Sequence, residues 1–285
     1  MNLPSGDWSR NSTNVPPGPR LPLGLQPPAE PQAPAPSGPV GQPREVTVRM
    51  PVHRIWATYV FLGLITVVFL GQLASTQFLG NDILAALGDK DNLLIAQGEY
   101  WRLFTAIFLH ASILHYGFNA YALYIIGRDV ERFSGAVRLT IIFVLAGLCG
   151  SLFSLVFTPA PALGASGAIF GLIGAQGVFL YRHRKLFGER GRRGLQNIVI
   201  IAILNLAIGL QAGIDDWAHV GGLVGGLILG GVLGPFWAVS RDPMQGGQPV
   251  IVDQQPMGGR QWLLVLAFAV AVAVLSFVGA ARYTF

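Results

Sequence analysis

The stretch GASGAIFG, residues 164–171, opens an apolar segment that continues to Tyr181. Its serine, Ser166, stands between small residues, so a second backbone can approach it closely. That arrangement suits a nucleophile beside a bound peptide, and it equally suits filler at a contact between two membrane helices. Taken alone, the stretch favours helix packing, because small residues are common where helices touch. The catalytic interpretation requires a base at the same depth on another segment.

The composition indicates an integral membrane protein. Hydrophobic residues make up 52% of the 285 residues and charged residues only 12%, which is about half the charged fraction of a soluble domain. The basic residues flank apolar runs, so membrane orientation explains the formal net charge of +5 better than nucleic-acid binding does. The one cysteine, Cys149, supports neither a disulfide framework nor a zinc site.

Seven apolar runs predict an all-α, polytopic membrane protein. They lie at residues 56–78, 104–127, 137–157, 164–181, 195–210, 218–239 and 261–281. The first six form a core over residues 55–239, and a polar linker at 240–260 leads to the additional seventh helix at 261–281. The fourth run is close to the shortest length that can cross a hydrocarbon core of about 30 Å. The polar connection between the first two runs, which ends at Tyr100-Trp101-Arg102, is predicted to lie in the membrane interface.

The N-terminal region differs from the rest of the chain. Residues 1–50 hold twelve of the nineteen prolines together with Gly, Ser and Gln, and such a segment cannot bury enough apolar surface to fold. We predict a disordered, Pro-rich cytoplasmic tail. We also expect no signal peptide, because the start lacks an apolar h-region.

The charge distribution predicts the orientation. Basic residues precede the first run and occupy the 2–3 and 4–5 connections, whereas the 1–2 and 5–6 connections are acidic. By the positive-inside rule the N-terminus is cytoplasmic, and seven spans then place the C-terminus outside. We therefore expect a multi-pass protein of the plasma membrane.

This topology places several polar residues at one depth. Ser166 begins the fourth run and His219 the sixth, and both runs lead inward from the outer side. The second run does the same, so its His110, His115 and Asn119 also fall toward the outer side. Ionisable groups inside spans are candidates for functional sites. Glycine ridges in the fourth and sixth runs would let the two helices meet, at Gly167, Gly171 and Gly174 and at Gly222, Gly226 and Gly230.

The residue types suggest acyl transfer. A serine hydroxyl needs a base, and His219 is the candidate base for Ser166. Asn119, His115 and the Ser166 backbone N–H are candidate donors for an oxyanion, and His115 and Asn119 share a helix face because they are four residues apart. No acidic residue lies within the fourth or sixth run, so a dyad is expected. Two aspartates nearby are predicted to sit in the exposed 5–6 loop, at residues 215 and 216.

Taken together, these residues resemble the motifs of the rhomboid intramembrane serine proteases. In family order they are Trp101-Arg102, His110-x4-His115-x3-Asn119 with Gly127 and Glu131 downstream, Gly164-Ala165-Ser166-Gly167, and Ala218-His219-x2-Gly222-x3-Gly226. Each motif is weak alone, whereas the set in this order is specific and covers about residues 61–239.

The resemblance implies a six-helix rhomboid-like core with a Ser166–His219 dyad and no metal or cofactor. His110 would support the site, Trp101 and Arg102 would belong to the interfacial first connection, and Glu131 to a structural hydrogen-bond network. The family cleaves transmembrane segments of other proteins near their extracytoplasmic ends, favouring small residues before the cut. The expected partners are therefore transmembrane substrates and the lipid bilayer, and the seventh run matches the six-plus-one variant of the family. The sequence specifies neither the substrate nor the oligomeric state.

Two other functions compete with proteolysis. A catalytically inert relative would bind membrane clients without cutting them, but such relatives typically lack the serine or histidine that this chain retains. A transporter would also place polar groups along helices. Here those groups gather on one side, and no internal repeat accompanies them.

Overall fold

The secondary structure is almost entirely helical in the computed structural model, which describes residues 50–209, 215–242 and 247–284. The long helices are α1 (Ala57–Leu79), α7 (Ala136–Phe157), α8 (Ser166–Arg182), α9 (Arg184–Gly209), α10 (Asp216–Leu233) and α11 (Gly259–Ala280). Between α1 and α7 lie α2 (Ile83–Gly88), α3 (Asn92–Ala96), α4 (Arg102–Thr105), a 3-10 turn (Ala106–Phe108), α5 (Ile113–Ala122), a π-helical turn (Leu123–Gly127) and α6 (Arg128–Ser134). Strands β1 (Trp237–Asp242) and β2 (Gln248–Asp253) precede α11, and a 3-10 turn (Ala281–Tyr283) follows it.

The helices confirm an integral, mostly α-helical membrane protein. Among the described residues, four helical segments are long and apolar enough to span a bilayer, namely α1, α7, α10 and α11 with the turn that follows it. The other predicted spans are interrupted or short: α8 has 17 residues, and α9 is kinked at Gly188, where φ is 54°. The count of six spans plus one stays a prediction. The predicted tail lies outside the described residues, apart from its last residue.

The predicted start of the second span is wrong, because the helix begins later in the chain. Its first part forms α4 and the 3-10 turn, and the backbone is extended at Leu109 and Ser112. The helix starts only at Ile113, where the Ser112 hydroxyl accepts a hydrogen bond from the His115 N–H at 3.2 Å. It then continues through the π-helical turn into α6. An N-cap serine therefore sets the start of this helix, and His110 precedes it.

The predicted sixth span and the linker after it also need correction. Helix α10 ends at Leu233, because Gly234-Pro235 cannot continue it. The following residues form an antiparallel hairpin in which Trp237 pairs with Asp253. Residues 240–242 and 248–253 of the linker predicted at 240–260 thus belong to these two strands.

Helix α10 packs between α7 and α8 over ridges of glycine. A Cβ atom on Gly222 would lie 1.9 Å from the carbonyl oxygen of Gly167, and one on Gly226 would lie 1.9 Å from that of Gly171. Real Cβ atoms do not approach backbone this closely, so the two backbones are in direct contact. The predicted contact between the fourth and sixth runs is confirmed, and it places the starts of α8 and α10 side by side.

The carboxylate of Glu131 caps the start of α1. It accepts hydrogen bonds from the N–H groups of Trp56, Ala57 and Thr58 at 2.7–2.8 Å and from the Thr58 hydroxyl at 2.6 Å. Glu131 is fully buried. A helix start leaves its first N–H groups without partners, and an acceptor of negative charge satisfies them best. Glu131 therefore fixes α1 against α6.

We expect Glu131→Gln to destabilise the protein by roughly 2–3 kcal/mol, because the amide group would turn N–H donors toward the backbone N–H groups of α1. A lower apparent Tm in detergent would report the loss. Asp129→Asn is the matched control, since Asp129 lies on the same helix and is partly exposed. An equal effect of the two substitutions would contradict the capping role of Glu131.

Candidate active site

Ser166 is held at the start of α8 by a constrained turn. It is the first residue of that helix, so its N–H is among those that a helix start leaves without an intrahelical partner. Two residues earlier, Gly164 has φ +139°, a conformation that L side chains rarely adopt. The N–H of Gly164 donates to the Ala106 carbonyl at 2.8 Å. The turn thus presents both the hydroxyl and the N–H of Ser166 at the end of the helix.

His219 lies in the first turn of α10, opposite Ser166. Its Nε2 atom is 2.9 Å from the Ser166 hydroxyl oxygen. Phe170 of α8 stacks on the imidazole, with ring centroids 4.5 Å apart and an angle of 15° between the planes. The structure therefore brings together the two residues that the sequence predicts to meet, and Phe170 restrains the orientation of the ring.

This geometry suits proton transfer from serine to histidine. A hydroxyl becomes a useful nucleophile when a base accepts its proton. Neutral imidazole carries one proton, and it can accept at Nε2 only when that proton is on Nδ1. The Ser166–His219 contact thus requires the Nδ1–H tautomer if His219 is to act as a base.

His115 lies against the turn that carries Ser166. A Cβ atom on Gly164 would be 2.8 Å from the Nε2 and Cε1 atoms of His115, so only glycine leaves room for the ring. The Nδ1 atom of His115 accepts from the Ala111 N–H at 3.4 Å. In the neutral ring the proton is then on Nε2, which faces the Gly164–Ser166 turn.

Asn119 is one helical turn farther along α5. It is 5% exposed, and its Nδ2 atom donates to the His115 carbonyl at 2.9 Å. The shared helix face of His115 and Asn119 is confirmed. One N–H of the Asn119 amide is occupied by this bond, and the amide offers a second.

His110 and Gln72 form a buried support behind the site. The His110 ring is 2% exposed and contacts the rings of Phe69, His115 and Tyr116. Gln72 of α1 accepts from the His110 N–H at 2.9 Å and donates to the His110 carbonyl at 3.2 Å. Sequence reasoning missed Gln72. A polar amide within an apolar span was the available signal.

Arg102 organises the connection between α1 and α5, at a distance from the Ser166–His219 pair. It is 2% exposed and bonds to the carboxylates of Asp89 and Glu99 at 2.8 and 2.6 Å and to the Ala86 carbonyl at 2.8 Å. Its neighbour Trp101 is 55% exposed and donates to the Leu87 carbonyl at 3.3 Å. The motif thus contributes to the fold of this connection and does not reach the hydroxyl of Ser166.

The prediction that Asp215 and Asp216 lie in an exposed loop is wrong. Asp216 is the first residue of α10, and Asp215 is its N-cap, accepting from the Ala218 N–H at 3.2 Å. Asp215 also accepts from the Thr158 hydroxyl at 2.8 Å and from Ser154. The start of α10, and with it His219, is therefore fixed to the end of α7.

Lys90 extends this network from the connection between α1 and α5. Its side chain is 1% exposed, and Nζ donates to the carbonyls of Thr158 and Ala160 at 2.8 and 2.7 Å. Burial lowers the pKa of Lys90 to about 8, with Asp215 and Asp91 acting against this shift. The ammonium form still predominates at neutral pH, so the residue can donate to both carbonyls at the end of α7.

In the described ranges, 50–209, 215–242 and 247–284, no group of three or more His, Cys, Asp or Glu side chains is placed to hold a metal ion.

Comparison with known proteins gives one consistent result. A family model described as Rhomboid domain matches residues 97–236. The chain is similar to "Rhomboid protease GluP" of Bacillus subtilis (strain 168), with 43% identity over 178 residues that cover 62% of this chain and 34% of that protein. It is also similar to "RHOMBOID-like protein 1" of Arabidopsis thaliana, with 37% identity covering 57% of this chain and 44% of the relative. "RHOMBOID-like protein 6, mitochondrial", from the same plant, is 39% identical, covering 58% and 52%. The chain thus spans about a third to a half of the length of these relatives.

Proposed function

The chain belongs to the rhomboid family, and on this basis we propose that it is an intramembrane serine endopeptidase with a Ser166–His219 dyad. Its substrates are transmembrane segments of other membrane proteins, cut near their extracytoplasmic ends. The protein has six core spans plus one, an N-terminus in the cytoplasm and its C-terminus outside, and it resides in the plasma membrane.

The observation that carries this proposal is the 2.9 Å contact between the Ser166 hydroxyl and Nε2 of His219. His219 accepts the hydroxyl proton while the serine oxygen attacks the carbonyl carbon of the peptide bond. The imidazolium then gives this proton to the leaving amine, and an acyl-enzyme remains on Ser166. Water, deprotonated by His219 in the same way, then attacks the acyl carbon. The bond to Ser166 breaks, the second fragment leaves as a carboxylic acid, and His219 returns the proton to the serine oxygen.

Three donors are available to the oxyanion that forms during the attack. They are the backbone N–H of Ser166, the Nε2–H of His115 and the second N–H of the Asn119 amide. Preorganised donors of this kind supply a large share of the stabilisation of the transition state. His115 is the best placed of the side chains, because its ring contacts Gly164 in the turn before Ser166.

The test uses the full chain in liposomes with a panel of reporter proteins, each carrying one transmembrane segment. We expect cleavage at a single position near the extracytoplasmic end, identified by mass spectrometry of the new termini. His219→Ala should insert and remain folded but leave the reporters intact. A folded wild-type protein that binds the reporters and cuts none of them would favour the inert, client-binding alternative.

Asn119→Ala should lower the cleavage rate by about 10²–10³-fold, because one oxyanion donor is lost. Asn205→Ala is the matched control: Asn205 is exposed on α9 and donates to the carbonyl four residues earlier, as Asn119 does. Cleavage of a reporter at saturating concentration measures the effect. A rate equal to that of wild type would remove Asn119 from the oxyanion site.

A further inference from the structure

The second nitrogen of the His219 ring faces a carboxylate. Nδ1 lies 3.9 Å from Oδ1 of Asp216, and the two residues are three apart on α10, hence on the same side of the helix. Both atoms are buried, and neither has a hydrogen-bond partner within the part of the chain that the structure describes. A buried donor and a buried acceptor that face each other without other partners form an incomplete polar pair.

The neighbouring aspartate is engaged elsewhere. Both carboxylate oxygens of Asp215 accept hydrogen bonds, from Ser154 to one oxygen and from Thr158 and the Ala218 N–H to the other. The Asp216 side chain is 29% exposed, and its inner oxygen points toward the ring of His219. Asp215 therefore positions the helix, whereas Asp216 is free to act on the imidazole.

We propose that Asp216 is a positioning residue for His219. Its carboxylate favours the tautomer with the proton on Nδ1, which leaves Nε2 able to accept the proton of Ser166. It also stabilises the imidazolium that forms when that proton arrives. This inference rests on the proposed function, and it changes the expected dyad into a dyad with a third, supporting member.

The proton balance of the step is simple. The Ser166 proton moves to Nε2 of His219, and the Nδ1 proton stays on the ring throughout, so Asp216 remains ionised. A rotation of the Asp216 side chain that shortens the gap by about 1 Å would give a direct hydrogen bond. Because positive charge develops on the ring as the proton arrives, the attraction is stronger in the transition state than in the ground state.

Other charges near His219 come from several elements. Asp215 lies at the start of the same helix, with Lys90 beyond it, and His115 faces the ring from α5. These groups are unchanged when Asp216 alone is replaced. A difference between the wild type and an Asp216 variant therefore reports the carboxylate of Asp216.

A purely structural role would also suit an aspartate in the first turn of a helix, where negative charge stabilises the helix dipole. The two roles differ in their effect on the titration of His219. Loss of a helix-stabilising charge lowers the apparent Tm, whereas loss of a carboxylate beside the imidazole makes the imidazolium less stable. The neutral imidazole of His219 then persists to lower pH.

The experiment compares wild type, Asp216→Asn, Asp216→Glu and the control Asp91→Asn, where Asp91 caps α3. In protein labelled with 15N-histidine, resonances of His219 are assigned by their absence in His219→Ala. We expect His219 of the wild type to be in the Nδ1–H tautomer. In Asp216→Asn we expect His219 to titrate about one pH unit lower, because a partly exposed opposite charge at this distance has an effect near the lower end of the usual range. In Asp216→Glu and Asp91→Asn, His219 should titrate as it does in the wild type.

Cleavage provides the second readout. For Asp216→Asn we expect kcat to fall about tenfold with KM unchanged, and the acid limb of the kcat profile to move to lower pH by about one unit. An unshifted titration of His219 in Asp216→Asn would overturn the inference, whatever happens to the apparent Tm. If Asp216→Asn does not fold, Asp216→Ser replaces it in both measurements. A wild type that cuts no reporter would contradict the proposed function alone, because the tautomer and the titration are read without turnover.

Discussion

Ser166→Ala should reduce cleavage of a reporter transmembrane segment to background, a loss of roughly 10⁴-fold or more. The substitution removes the hydroxyl oxygen that lies 2.9 Å from Nε2 of His219 and would form the acyl bond. The side chain is small, and α8 packs through its glycines, so the fold should be unaffected. The measurement is the initial rate in liposomes at saturating reporter, with the amount of inserted protein determined for each variant.

Ser276→Ala supplies the matched control for this prediction. Ser276 is a buried helical serine, at 3% exposure, whereas Ser166 is partly buried, and Ser276 lies in α11 and belongs to no part of the site. The Ser276→Ala protein should cut the reporter at the wild-type rate and retain the wild-type apparent Tm. Cleavage by Ser166→Ala at the rate of Ser276→Ala would show that the nucleophile is elsewhere.

Gly222→Ala should strongly damage the protein although it lies outside the Ser166–His219 pair. The new methyl group would lie 1.9 Å from the Gly167 carbonyl oxygen, so α8 and α10 would have to separate. Overpacking of this kind costs about 3 kcal/mol. The same displacement would lengthen the contact between Ser166 and His219, and a misplacement of about 1 Å lowers a rate by around 10²-fold. We therefore expect a lower apparent Tm together with a loss of cleavage.

Gly231→Ala tests whether this effect comes from the helix contact. Gly231 is on the same helix, but a Cβ atom there would meet no other atom within 4 Å. Alanine is also the better helix former, so this variant should be as stable as the wild type or slightly more stable. Equal loss of stability in Gly222→Ala and Gly231→Ala would contradict direct contact between the α8 and α10 backbones as the cause.

The position of the candidate site could be predicted because it depends on the depth of residues within helices. A serine and a histidine at the starts of two runs that lead in the same direction must lie at one level. Glycines every four residues then indicate that these helices meet, as they do at Gly167 and Gly222. Both inferences use periodicity and length, which are explicit in a sequence.

The irregular segments could not be predicted in this way. The run from 104 to 127 is apolar throughout its first residues, and hydrophobicity alone does not distinguish a helix from an extended segment that is buried by neighbours. Here Gln72 holds the backbone of His110 through a contact between residues 38 apart in sequence. The hairpin after α10 had a local signal, the β-branched Val250-Ile251-Val252, but its partner strand overlaps the end of an apolar run. Tertiary contacts decide both segments.

The local environment of His219 was also beyond sequence reasoning. The spacing of Asp216 and His219 allows a contact but does not require one, because the helix was expected to begin two residues after Asp216. The N-cap bonds of Asp215 move this start earlier and place Asp216 on the helix. A polar residue at a helix start thus changes which side chains share a face.

The most direct test of the central claim is labelling of the wild-type protein with a fluorophosphonate, followed by mass spectrometry of the peptides. A serine reacts with this reagent only when a base activates it. We predict one adduct, on Ser166, which forms in the folded wild type and is absent from folded His219→Ala. A wild-type protein that is folded yet unlabelled at Ser166, or a His219→Ala protein labelled at the same rate, would contradict an activated Ser166–His219 pair.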